Sequence, residues 1–428
     1  MLSRVDCERL PCVADSVGLA GLAVFAFGYV AGRALANVGL GLLLVALLMN
    51  LPRFASMLRR DPLVRLGLAW VAYCLGLAVW ASGAYPDSRQ YESLPEVWSF
   101  AFVPLVALVT RGDHRRVMGA LLLALAGLMY RLAKDAHFGG GQVFDYAGTA
   151  LGGGRNLAVL FIDVGALGAV ALLLGLAAMR DWPIARRALA MTVVCACLAV
   201  LMLAWVSARS RTSLVALPLA VAVLLLRDWL GSGQFRRGRL VAAGLGLLLL
   251  AVVFAYLPEI SAELGKDMNT WRAVGLGRLD AVEIDATGYR VHMWQLAYSL
   301  WIGHPLTGVG LHVSHFLGSD PQRPFLVAFN QFHSGFVEVL LRTGLIGIAV
   351  LFAAAVLILR SVREARRKGW MSRRLHDFLV LGLLVFLLLN VSNSIFFFQQ
   401  GWHFVVLLGG LAYGYRWRSI VSSASTQL

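Results

Sequence analysis

Charged side chains are scarce in this sequence. Asp, Glu, Lys and Arg together make up 14% of the 428 residues, whereas 59% are hydrophobic. A soluble protein of this length would carry more charge and fewer apolar runs. Runs such as 240–254 and 379–389 indicate helices that cross a membrane. The composition therefore argues against a soluble domain and predicts an all-α, polytopic integral membrane protein.

Acidic residues are scarcer than basic ones. The chain has 23 Asp and Glu against 38 Lys and Arg, which gives a formal net charge of +15. In a soluble protein this balance would suggest a nucleic-acid partner, but here the arginines cluster in short loops between apolar runs. That distribution favours roles in membrane topology and in contacts with anionic lipid, so we expect no nucleic-acid partner.

Several familiar signatures are missing. The five cysteines lack metal-ligand spacing, and Cys195 and Cys197 lie too close on one helix for a good disulfide. No nucleotide-binding loop, Ser-His-Asp signature or kinase motif is present. A cleavable signal peptide is not evident, so the first helix is expected to remain as an anchor.

The apolar runs predict about twelve transmembrane helices, and the positive-inside tendency of their loops predicts that both termini are cytoplasmic. We divide the chain into spans 1–9 (residues 1–257), an outer segment that carries the catalytic residues (258–343), and spans 10–12 with a cytoplasmic tail (344–428). The outer segment is too polar to cross a membrane, and its tryptophans and histidines argue against disorder. The predicted spans are 17–31, 35–49, 63–82, 94–110, 117–132, 157–178, 188–206, 212–229, 239–257, 344–360, 376–393 and 399–416.

Two outer arginines are candidates for anion binding. Arg209 and Arg211 lie in the short connection between two apolar helices, where the positive-inside tendency disfavours them. They would form an anion site together with N–H groups of the next helix. The competing interpretation is that these arginines hold lipid headgroups.

Arg290 and Trp294 are spaced i, i+4 on a predicted helix from about Tyr289 to Trp301, which His304-Pro305 ends. A guanidinium beside an indole suits a phosphate next to a lipid or a sugar ring. An amphipathic helix lying on the membrane is the alternative.

His333 lies where the outer segment returns to the membrane. A lone histidine near an interface is more often structural, but neighbouring arginines would keep this one neutral, as a general base requires. Glu338 and Arg342, spaced i, i+4, are expected to pair with each other. Gly344 and Gly347 are expected to permit close helix packing.

Weaker candidates remain. His304, His312 and His315 suggest metal ligands but lack a well-spaced carboxylate. The acidic residues Asp280, Glu283 and Asp285 fit a solvated face better than a divalent-ion site. Asp163, inside an apolar run, is the best argument for a proton-coupled transporter.

The order of these motifs resembles the bacterial O-antigen ligase family, whose superfamily includes O-antigen polymerases and protein O-oligosaccharyltransferases. The similarity covers about residues 205–350. It lies in His333-Ser334 followed after nine residues by Gly344 and Gly347, and in Ser210-Arg211, Arg290 with Trp294, and the run 305–310. Serine follows the histidine here, whereas asparagine is common in the superfamily.

The resemblance implies an all-helical glycosyltransferase of the GT-C type in the bacterial inner membrane, with a periplasmic active site. The donor would be an O-antigen glycan on undecaprenyl diphosphate, the acceptor a hydroxyl of the lipid A core oligosaccharide, and the product complete lipopolysaccharide. We expect His333 to act as general base, Arg211 and Arg290 to bind the diphosphate and stabilise its leaving charge, and Arg209, Trp294 and Ser334 to contact substrate. Two guanidiniums can replace a metal ion electrostatically, so we expect no metal and no cofactor.

Two alternatives stay open. An O-antigen polymerase or a protein O-oligosaccharyltransferase would use the same chemistry on a different acceptor. A twelve-span transporter or lipid flippase would move its substrate without covalent change, and its function would depend on Asp163 and a central cavity.

Overall fold

The computed structural model describes residues 4–136, 155–179, 181–208, 210–231, 236–278, 282 and 284–425. All of its described elements are helical, as the composition predicts. The α-helices are α1 (Arg4–Ala31), α2 (Arg33–Arg60), α3 (Pro62–Ala84), α4 (Leu94–Trp98), α5 (Val103–Thr110), α6 (His114–Asp135), α7 (Arg155–Ala178), α8 (Ile184–Ala208), α9 (Arg211–Gly231), α10 (Arg236–Gly275), α11 (Ala286–Trp301), α12 (His315–Ser319), α13 (Gly335–Arg367), α14 (Arg373–Leu389) and α15 (Gln399–Ser425).

The described part of the chain contains nine helices that are long and apolar enough to cross a membrane. They coincide with the first eight predicted spans and, in α13, with the tenth. The remaining predicted spans, 239–257, 376–393 and 399–416, fall on α10, α14 and α15. α14 has 17 residues and ends at Leu389, which is short for an upright crossing that needs about 20. The protein is thus a polytopic membrane protein, and the count of twelve stays a prediction.

Helix α7 lies at the centre of the bundle. Between Leu157 and Ala178 it carries one charged residue, Asp163, and apolar residues lie on all its sides, as expected for a helix that neighbours surround. Leu157, Leu160, Ile162 and Leu167 are all fully buried. Around it the long helices alternate in direction, so α9, α13 and α15 begin at the same end of the bundle. We call this the His333 end, because His333 immediately precedes α13.

The outer segment differs from its predicted boundary at Pro258. This proline lies inside α10, which continues to Gly275 and has 40 residues. At 1.5 Å per residue the helix is about 60 Å long, roughly twice the thickness of a hydrocarbon core. Membrane helices tolerate proline where neighbouring groups satisfy the freed carbonyl. The last turns of α10 therefore belong to the same helix as predicted span 9.

The remainder of the outer segment is folded around a second, smaller core. Helix α11 ends at Trp301 as predicted and begins three residues earlier than predicted, at Ala286. It packs with α12 and the 3-10 helix Pro324–Ala328 against the start of α13. The fully or nearly buried residues of this core are Met293, Val309, Val313, Leu317, Leu326, Phe332 and Leu341. For its described residues, the expectation that this segment is ordered is confirmed.

Candidate functional site

Arg211, Arg290 and His333 come together at one end of the bundle. Arg211 is the first residue of α9, Arg290 lies near the start of α11, and His333 precedes α13. Burial is the main cause of the lowered pKa of Arg290, and the nearby charge of Arg211 lowers it further. Arg290 in turn contributes to the lowered pKa of His333. Three residues that are distant in the sequence therefore share one electrostatic environment.

Asp267, on the extended part of α10, connects two sides of this site. Arg211 donates from Nη1 to both carboxylate oxygens of Asp267, at 2.8 and 3.0 Å. The hydroxyl of Thr287, at the start of α11, donates to Asp267 Oδ1 at 2.6 Å. The Arg211 side chain is 42% exposed and that of Asp267 is 15% exposed. A carboxylate thus lies against a guanidinium that remains accessible to a ligand.

The charges of this cluster favour an anionic ligand. Two guanidiniums, Arg211 and Arg290, lie with one carboxylate, Asp267, which acts to raise the Arg290 pKa. An arginine stays protonated in proteins even when its pKa is lowered, so the three groups together carry one net positive charge. Guanidinium groups bind phosphate oxygens through paired N–H donors. The arrangement therefore suits a phosphate or diphosphate.

The backbone of His333 is held in a left-handed conformation, with φ of 51°. Such a conformation costs a non-glycine residue of the order of 1–3 kcal/mol and persists only where surrounding contacts enforce it. Before it in the chain, the Trp294 indole N–H donates to the carbonyl of Phe332 at 3.0 Å, and the Phe332 N–H donates to Glu338 at 2.9 Å. These two bonds fix the residue that precedes the histidine.

The residues after His333 are held as firmly. Ser334 is 4% exposed and caps α13 by accepting the N–H of Val337 at 3.4 Å. The N–H of Gly335 donates to the carbonyls of Asn390 and Asn393, at 2.8 and 2.9 Å. The histidine is consequently positioned from both sides by the backbone, and its ring meets Phe329 edge to face at 5.7 Å.

The imidazole of His333 is half-buried. Burial, reinforced by the nearby Arg290 charge, lowers its pKa from 6.5 to about 4. Its Nδ1 is buried and has no hydrogen-bond partner within the described part of the chain. The ring is therefore neutral at physiological pH, which is the state in which a histidine can accept a proton.

Comparison with known protein families agrees with this geometry. A family model described as O-antigen ligase matches residues 196–352, the part of the chain that contains Arg211, Arg290 and His333. The matched residues make up a little over a third of the chain, and over this segment the chain is similar to the O-antigen ligase family. The match supports a transferase function of the O-antigen ligase or polymerase type. No curated protein is significantly similar to the sequence.

The glycines of the O-antigen ligase segment have a structural explanation. Gly344 interrupts α13 with φ of 62° and ψ of −163°, and a Cβ there would overlap the carbonyl of Leu306. At this kink the N–H groups of Leu345 and Ile346 donate to the carbonyls of Pro305 and Leu306, at 3.0 and 3.1 Å. The predicted turn at 305–310 thus docks onto the break in the helix. Gly344 permits this close contact with the turn, whereas close packing against another helix was expected of it.

The predicted pair of Glu338 and Arg342 is also confirmed. Arg342 donates to Glu338 Oε2 at 2.9 Å, and both side chains are almost completely buried. Arg342 also pairs with Glu96 at 3.3 Å and lies 4.0 Å above the ring of Phe397. Because the other Glu338 oxygen accepts the Phe332 N–H, this pair also supports the conformation of His333.

Two of the weaker candidates, Asp285 and His312, have contacts that stabilise the local structure. Asp285 caps α11 by accepting the N–H groups of Thr287 and Gly288. His312 uses both ring nitrogens in contacts with Ser93 and Ser314. Arg209, Asp280 and Glu283 lie outside the described residues.

Asp163 is fully buried, and its Oδ1 accepts a hydrogen bond of 2.6 Å from Ser213. The same serine hydroxyl accepts the indole N–H of Trp205 at 2.7 Å. Ser213 lies two residues beyond Arg211, and through it the aspartate links α7, α8 and α9. This contact gives Asp163 a structural role near the site.

Sequence reasoning missed Asp267 and did not predict the hydrogen bond of Trp294. Asp267 is not among the predicted candidates, because predicted span 9 ends at residue 257. The N–H group of Trp294 holds the backbone beside His333, and the expected contact of Trp294 with substrate stays a prediction. The i, i+4 spacing of Trp294 from Arg290 correctly indicated a shared helix but not the partner of the indole.

Proposed function

We propose that this protein is an O-antigen ligase of the bacterial inner membrane. It transfers an O-antigen glycan from undecaprenyl diphosphate to a hydroxyl of the lipid A core oligosaccharide, on the periplasmic side. The observation that supports this most is the meeting of two guanidiniums, Arg211 and Arg290, with a neutral and conformationally fixed His333. The proposed fold type is GT-C, with the segment 258–343 carrying the catalytic residues between spans 9 and 10.

Donor binding is assigned to the two arginines. The diphosphate carries more negative charge than the single carboxylate of Asp267, so it competes for Arg211 and adds contacts with Arg290. Both guanidiniums then stabilise the negative charge that develops as the glycosidic bond to the diphosphate breaks. Arg209 is proposed to assist, and a sugar contact by Trp294 or Ser334 stays a proposal in addition to their backbone contacts.

The proton transfer is assigned to His333. The acceptor hydroxyl loses its proton to the imidazole while its oxygen attacks the anomeric carbon from the side opposite the diphosphate. A new C–O bond forms, the bond to the diphosphate oxygen breaks, and the anomeric configuration inverts. Because Nδ1 is buried, we assign the accepting role to Nε2. General-base catalysis of this kind contributes about a hundredfold to ten-thousandfold.

A reconstituted reaction tests the proposal. Purified protein is mixed with lipid-linked O-antigen and one of three acceptors: rough lipopolysaccharide, a second lipid-linked repeat or an acceptor protein. Transfer to rough lipopolysaccharide that persists in chelator is the expected result. Chain extension on the lipid-linked repeat would identify a polymerase, and a chelator-sensitive reaction would contradict the arginine mechanism. Movement of substrate without any covalent product would favour the transporter alternative.

A further inference from the structure

A cavity of about 670 Å³ lies between α6 and α14, and none of the candidate-site residues lines it. Met118 and Leu125 of α6 form one wall, and Phe378 of α14 forms the other. Helices α7 and α15 close the back with apolar side chains such as Leu407. The membrane-embedded part of this cavity is therefore almost entirely hydrocarbon.

The cavity has the depth of a lipid chain. Its lining residues run along α6 from His114 to Leu128 and along α7 from Val164 to Ala178. Fourteen steps of a helix span about 21 Å, whereas one leaflet contributes about half of a hydrocarbon core of about 30 Å. The space beside Gly175 is open, because a Cβ at this lining residue would meet no atom within 4 Å.

The polar lining residues gather at one end, where α6 and α14 begin, which is the end of the bundle opposite His333. The cavity is lined there by three arginines, Arg366, Arg373 and Arg374, and by one carboxylate, Asp228. Asp228 pairs with Arg374 at 2.9 Å, and Arg373 pairs at 3.7 Å with Asp377, a buried carboxylate that does not line the cavity. The side chains of Arg373 and Arg374 are 31% and 28% exposed. Arg366 is exposed. The mouth of the cavity is therefore positively charged.

We propose that this cavity binds an anionic phospholipid, with the phosphate at the arginine mouth and an acyl chain between α6 and α14. An apolar channel with a cationic mouth complements an amphiphile that has a negative headgroup. The polyprenyl tail of a donor is a poorer fit, because its diphosphate would lie at the His333 end. The choice of a phospholipid over the polyprenyl tail therefore rests on the proposed function, whereas the apolar channel and its arginine mouth do not.

The test is native mass spectrometry of the full-length protein, purified in detergent and titrated with phosphatidylglycerol or with phosphatidylcholine of the same acyl chains. Gly175→Leu places a side chain inside the cavity and narrows it. Gly119→Leu is the matched control, since a Cβ at Gly119 also meets no atom within 4 Å but Gly119 does not line the cavity. We expect the first variant to reduce phosphatidylglycerol binding by on the order of tenfold, which corresponds to about 1.4 kcal/mol, and the control to bind normally.

The headgroup is tested by the double variant Arg366→Gln and Arg373→Gln. This protein should lose its preference for phosphatidylglycerol over phosphatidylcholine. Its thermal unfolding should stay near that of the native protein, because Asp377, the partner of Arg373, keeps its contacts with Arg227 and His376. Equal binding of both lipids by the native protein would overturn the proposal. Unchanged binding by Gly175→Leu, or full displacement of phosphatidylglycerol by undecaprenyl phosphate, would do so as well.

Discussion

The hydrogen bond from Trp294 to the carbonyl of Phe332 offers a sharp test of how His333 is positioned. Trp294→Phe retains an aromatic ring in the small outer core but removes the N–H donor that lies 3.0 Å from this carbonyl. The variant should fold, because only one hydrogen bond is lost. We expect it to transfer glycan more slowly, since the backbone beside His333 is then fixed from fewer directions.

The size of the effect follows from the hydrogen bond and the strain. One hydrogen bond contributes about 0.5–1.5 kcal/mol, and a left-handed non-glycine residue costs about 1–3 kcal/mol. Losing the bond therefore shifts the balance between the catalytic and a relaxed His333 backbone by roughly twofold to tenfold. Donor binding should change little, because Arg211 and Arg290 are untouched.

The assay measures kcat with saturating donor and, separately, the Kd of the lipid-linked donor. Trp301→Phe is the matched control, because Trp301 lies on the same helix as Trp294 and its indole also donates to a backbone carbonyl, that of Pro305, at 3.1 Å. A lower kcat for Trp294→Phe than for Trp301→Phe, at unchanged donor Kd, is expected. Equal rates for both variants, or an effect confined to donor Kd, would refute the positioning role.

Three further predictions follow from the site. Transfer requires a neutral His333, so kcat/KM should stay constant as pH falls from 8 to about 5 and decline near the lowered His333 pKa of about 4. In Arg290→Gln this decline should move to higher pH, because the arginine charge no longer lowers that pKa. Asp267→Asn should tighten donor binding in a Kd measurement, because no carboxylate then competes for Arg211; weaker binding would mean that Asp267 aligns the arginine instead. Gly344→Ala should lower the thermal unfolding temperature more than Gly369→Ala, because both glycines have positive φ but only Gly344 faces backbone; equal losses would exclude the contact with Leu306.

The hydropathy of the sequence predicted most helices because burial in lipid and burial in protein demand the same apolar residues. The pair His304-Pro305 predicted the end of α11 at Trp301, since a proline stops a helix. Hydropathy failed at Pro258, where the polar residues that follow suggested that the helix ends, although α10 continues to Gly275. A helix that extends beyond the hydrocarbon core no longer needs an apolar sequence, so hydropathy cannot report where it ends.

The candidate site was partly predictable for a similar reason. The order of motifs along the chain indicated that Arg211, Arg290 and His333 belong together, and the structure brings them together. The i, i+4 spacing also predicted the pair of Glu338 and Arg342. Asp267 could not be found in this way, because its contact with Arg211 depends on how far α10 extends beyond the membrane.

The central claim is that His333 performs proton transfer in a site where arginines bind the donor. Single-turnover transfer by His333→Ala, measured beside its donor Kd, tests this most directly, with His304→Ala as the control for losing a histidine elsewhere. We predict that the rate falls by about a hundredfold to ten-thousandfold while donor binding persists. Transfer by His333→Ala at the native rate would contradict the account.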